Sequence, residues 1–181
     1  MMELSFFLRL CIGFFAVIGY LRGFYKEFVG LAGIMLSLFI LTEFSWIFDF
    51  VAGRSNPTLR FLFDALLLIA LTFFSYQQAP TTFVPSRYRG RRGEVRLPGQ
   101  EGWQTRSLGA LLGGFNGYLV VGSLWYFMDQ LEYPLDPLFM MPALGTESAD
   151  FVSRLPLVWL QQFNLLTWLV AGLFLIIIIA R

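Results

Sequence analysis

The sequence predicts an all-α integral membrane protein, a bundle of four to five transmembrane helices, and three observations carry that expectation. Long apolar runs recur along the 181 residues, all eight prolines fall outside them, and 57% of residues are hydrophobic against 14% charged. The mean hydropathy is +0.66. A soluble domain carries about 25% charged residues to keep its surface wet, so this composition calls for lipid as solvent. The length suits a single transmembrane domain with modest loops and leaves little room for a separate soluble enzyme domain.

The first run, residues 4–21, is apolar apart from Ser5 and Arg9. At about 1.5 Å per residue it reaches roughly 27 Å, close to the hydrocarbon thickness of a bilayer. A break at Leu21-Arg22-Gly23 separates it from the second run, residues 24–41, whose rim carries Lys26 and Glu27. The stretch 42–50 mixes Glu43 and Asp49 with Trp46 and phenylalanines, a pattern that suits an interfacial helical turn. Residues 61–76 make the third span, interrupted by Asp64, and residues 108–128 the fourth, which has no charge. The last run, 157–180, begins with Gln161, Gln162 and Asn164 and then becomes almost wholly apolar. It reads either as one span or as an amphipathic turn feeding a short one. A secretory signal peptide is not expected at the start, because Glu3 replaces a basic leader and no small-residue cleavage pattern follows.

Basic residues near span ends favour the cytoplasmic side. Arg22 and Lys26 lie in the first link, and the 77–106 loop holds six arginines (87, 89, 91, 92, 96 and 106) against Glu94 and Glu101. Both are therefore expected inside. The 129–156 loop, with Asp129, Glu132, Asp136, Glu147 and Asp150, is expected outside, as is the N-terminus, with the C-terminus inside. Anionic headgroups next to the two spans are the natural counter-charge of the arginine-rich loop, each basic residue contributing about 1 kcal/mol, so lipid is expected there and nucleic acid is not.

Residues 19–33 contain a Gly-x-x-Arg-Gly-Phe-x-x-Glu-Phe hairpin built on Arg22, Gly23 and Glu27, and residues 106–117 form a glycine-rich helix start. Together they resemble the bacterial colicin V production protein (CvpA) family. The chain departs from that family in placing Arg9 within the first span and in its long apolar C-terminal run. The resemblance implies a multi-pass protein of the bacterial cytoplasmic membrane, with a role in colicin V production or export and in envelope upkeep.

The residues available exclude several kinds of chemistry. With no histidine, one cysteine (Cys11) and one lysine (Lys26), the chain offers no metal set, haem ligand or phosphate-binding loop, and no cofactor or enzymatic activity is expected. Two ionisable residues lie inside apolar runs, Arg9 and Asp64, at matched depths below the outer face. A charge in hydrocarbon costs about 2.5–3.5 kcal/mol on insertion scales, so they are expected to pair, although Arg60 stands one turn from Asp64 and Arg9 is long enough to snorkel. Gly109, Gly113 and Gly117 recur every four residues and predict a close helix contact, either within the chain or between copies, with Asn116 beside the stripe.

Two functions follow. A membrane scaffold or accessory subunit would act through helix contacts with other membrane proteins or with itself. A small oligomeric transporter or channel would instead line a path with Arg9, Asp64, Asn116 and the glycines of the second and fourth spans. Those residues facing a wet cavity would favour the second, and their being sealed in packing the first.

Overall fold

Gly23 parts the first two helices with a single residue, at φ 82° and ψ 164°, a backbone conformation that L side chains rarely adopt. In the computed structural model, which describes residues 4–52, 56–77 and 102–179, all regular structure is helical. Helix α1 is Leu4–Arg22, α2 Phe24–Glu43, α3 Ser45–Ala52, α4 Pro57–Gln77 and α5 Trp103–Gln130. Two short helices, α6 (Glu147–Val152) and α7 (Pro156–Gln161), a 3-10 turn at Gln162–Asn164 and α8 (Leu165–Ile179) complete the described chain. The segments α1, α2, α4, α5 and Glu147–Leu175 are each long and apolar enough to cross a membrane.

The predicted runs reappear with different ends. Helix α4 starts at Pro57 rather than at 61, because Asn56 caps it by accepting from the Leu59 amide (3.0 Å) and proline suits the first helical turn. Helix α5 begins at Trp103, five residues before the expected 108. The polar and aromatic stretch after α2 is helical over Ser45–Ala52. Most of the arginine-rich 77–106 loop lies outside the described residues.

Helix α1 runs antiparallel to α5 in the most extensive helix contact, α4 lies along α2, and α2 packs on α5. The α1–α5 contact is made by glycine. A Cβ added at Gly113 would stand 2.8 Å from the Gly19 Cα, one at Gly117 2.7 Å from the Phe15 side chain, and one at Gly109 2.8 Å from the Gly23 carbonyl carbon. At Gly109 and Gly113 the stripe on α5 is thus a backbone-to-backbone contact within the chain, and at Gly117 it seats the Phe15 side chain. Leu8, Ile34, Leu38, Leu68, Leu119, Leu155, Leu157 and Leu160 are fully buried around it.

The segment 157–180 is not one straight helix. After α5, the chain dips alongside that helix and returns: Phe151 stacks on Trp125, the Arg154 carbonyl accepts from the Tyr118 hydroxyl, Pro156 seats against Gly122, and Gln161 accepts from Tyr126 (3.0 Å). Phe163 and Asn164 then adopt left-handed conformations (φ 56° and 54°), and this kink redirects the chain into α8. The fifth membrane-length segment is therefore a composite of α6, α7, a kink and α8.

Candidate functional site

Glu27, in the first turn of α2, is 1% exposed, and its surroundings explain how an acid is held there. Gly30, one turn along, has no side chain, which admits the Tyr76 ring from the end of α4; a Cβ at Gly30 would lie 2.8 Å from the Tyr76 Cζ. The Tyr76 hydroxyl donates to Glu27 Oε2 at 2.8 Å. From α5, the Asn116 amide nitrogen, on a residue 0% exposed, lies 3.0 Å from each of three acceptors: Glu27 Oε2, the Glu27 carbonyl and the Tyr76 hydroxyl. Three helices thus meet at one carboxylate.

Arg22 closes the cluster from the hairpin. Its guanidinium lies 4.3 Å from the Tyr76 ring centroid and donates to the Tyr76 carbonyl at 3.2 Å, while Nε stands 3.8 Å from Glu27 Oε1. That separation is an ion pair without a hydrogen bond. Glu27 Oε1 and Asn116 Oδ1 are buried without a hydrogen-bond partner, so the cluster holds more acceptor than donor capacity. Unpaired buried acceptors are costly, which marks the cluster as more than a packing detail.

The hairpin residues Arg22, Gly23 and Glu27 thus share one site: Gly23 makes the turn, Arg22 caps the cluster and Glu27 is its centre. In the sequence Tyr76 is no more than the end of a span, and Asn116 is a neighbour of the glycine stripe and a candidate path-lining residue, with no link to Glu27. The available signal was the pairing of a glycine, Gly30, with an aromatic hydroxyl at the end of the next span, which no local pattern exposes.

The structure does not bring Arg9 and Asp64 together, which corrects the expected pair. Asp64 is joined to Arg60, one turn earlier on α4, at 2.8 Å, with side chains 6% and 12% exposed; Arg60 also donates to the Ser45 carbonyl (3.2 Å), tying α4 to α3. Arg9 is ion-paired with Glu147 of α6, with both side chains more than half exposed. The reason is local: an i,i+4 partner costs little ordering, and the dip of α6 brings an acid to Arg9 that sequence spacing placed in a loop.

Among the described residues no group of three or more His, Cys, Asp or Glu could hold a metal ion. Fold and site together define a class, an all-helical protein with five membrane-length segments and a polar cluster sealed beneath its first hairpin. No family model, curated protein or solved structure matches the chain. The likeness to the colicin V production family therefore rests on the two sequence patches alone.

Proposed function

We propose that the chain is a multi-pass protein of the bacterial cytoplasmic membrane that serves as a helix-packed scaffold or accessory subunit, in the setting of colicin V production or export and envelope upkeep that its hairpin resembles. One observation carries the choice of scaffold over conduit. The polar side chains expected to line a path are spent on one another: Asn116 on Glu27 and Tyr76, and Asp64 on Arg60. Arg9 lies on the outer surface of α1 with Glu147. Five membrane-length segments support the multi-pass reading, and the arginines of the 77–106 loop support an outside N-terminus and an inside C-terminus.

The test is the detergent-solubilised particle from native membranes. A scaffold or accessory subunit yields a particle heavier than the 20.7 kDa chain with its micelle, containing defined membrane proteins or further copies. A lone chain that passes ions or protons when reconstituted into liposomes would overturn the reading.

A further inference from the structure

We infer that the outward face of α1 is a docking surface for a second copy of this chain, an inference that rests on the membrane-embedded reading above. Phe6, Leu10, Gly13, Val17 and Tyr20 follow one another at intervals of three and four, the spacing of a seam along which two helices pack lengthwise. All five are exposed. The opposite face of α1 is the one occupied by α5.

Gly13 packs closely against nothing within the described residues. Gly19, on the same helix, is pressed against Gly109 and Gly113, whereas a Cβ added at Gly13 would meet nothing within 4 Å. Without a side chain at this position, a helix from outside the chain can approach the α1 backbone closely.

The occupant follows from the charges beside the seam. Arg9 and Glu147 are 52% and 56% exposed, on a face otherwise made of Phe6, Leu10, Phe14 and Val17. An ion pair on an apolar membrane face needs polar cover. A lipid phosphate fits poorly, since Glu147 already neutralises the guanidinium. A second copy, related by a two-fold axis along the seam, presents the same cation and anion in mirrored order, so Arg9 of each copy meets Glu147 of the other.

Cross-linking in membranes tests this, with Leu10→Cys or Val17→Cys placed in a Cys11→Ser background. Either cysteine should give a disulfide-linked dimer, and Leu66→Cys on the exposed face of α4 should not. Arg9→Glu alone or Glu147→Arg alone sets like charges against each other within and across copies, and the dimer should fall about fivefold or more. Co-expressing the two variants restores opposite charges only across copies, so the mixed dimer should return. No dimer from either cysteine, no recovery on mixing, or a cross-link to a different protein would each overturn the inference. Retention after an alkaline membrane wash separates that failure from a failure of the membrane reading, in which the wash would release the chain.

Discussion

Asn116 Nδ2 lies 3.0 Å from both the side-chain carboxylate and the backbone carbonyl of Glu27, 89 positions away in the chain. A single amide on α5 therefore holds both the charge and the backbone of the first turn of α2.

Removing that amide should be costly. Asn116→Leu takes a donor from a carboxylate that has two and leaves the Glu27 carbonyl without it, and losing a hydrogen bond to a buried charge costs about 1.5–3 kcal/mol. Tyr76→Phe, which removes only the other donor, should cost a similar amount. Thermal unfolding in detergent measures both, and an unchanged midpoint in Asn116→Leu would remove the cluster from the forces that hold α2, α4 and α5 together.

The glycines make a graded prediction. Gly113→Ala forces a methyl group against the Phe15 carbonyl and the Gly19 Cα, which are backbone atoms that cannot turn aside, so α1 and α5 must separate; overpacking of this kind costs about 1–3 kcal/mol. Gly172→Ala in α8, where a Cβ would meet nothing within 4 Å, should be neutral or stabilising by up to about 1 kcal/mol. Equal effects at the two sites would contradict the packing described.

Arg9 and Asp64 should behave independently. Asp64→Asn removes the carboxylate from a buried ion pair and should cost about 3 kcal/mol, whereas Arg9→Gln breaks an exposed pair and should cost less than about 1 kcal/mol of fold stability. Because the two residues have different partners, the double variant should equal the sum to within about 0.5 kcal/mol. A clear coupling energy would restore the pairing that their sequence depths suggest.

Alkaline pH should loosen the turn after α5. Tyr133, between α5 and α6, accepts from Trp125 Nε1 (3.0 Å) and donates to Asp129 Oδ1 (3.2 Å); burial, chiefly, together with the Asp129 charge pushes its hydroxyl up to about 12, against the Trp125 bond that lowers it. The unfolded tyrosine ionises near pH 10, so the unfolded state loses its proton first. Stability is then full below about pH 10 and declines as pH rises towards about 12. Tyrosinate absorbance followed alongside the thermal midpoint checks this, and the Tyr133 contribution should vanish in Tyr133→Phe. A midpoint falling equally steeply in that variant would assign the loss elsewhere.

The places of the membrane-length segments and the close contact at the glycine stripe were legible in the sequence because each follows from a local rule. Apolar runs about 20 residues long are helices when the backbone must satisfy its own hydrogen bonds, proline marks where they begin, and glycines four apart line up on one face whatever they meet. Gly23 was legible for the same reason, as a break too short for anything but a turn.

Partnership was not legible, because it depends on which residues distant in sequence arrive at the same height. The sequence placed Arg9 and Asp64 at matched depths, yet depth is one coordinate of three, and α6, read as loop, dips to meet Arg9 first. Nor could it assign the stripe of Gly109, Gly113 and Gly117 to α1, or Asn116 to α2 and α4. The apolar pattern by itself determined a set of helices suited to a bilayer. Only tertiary packing decided that Glu27, Tyr76 and Asn116 meet, since a buried carboxylate takes donors from whichever helices converge on it.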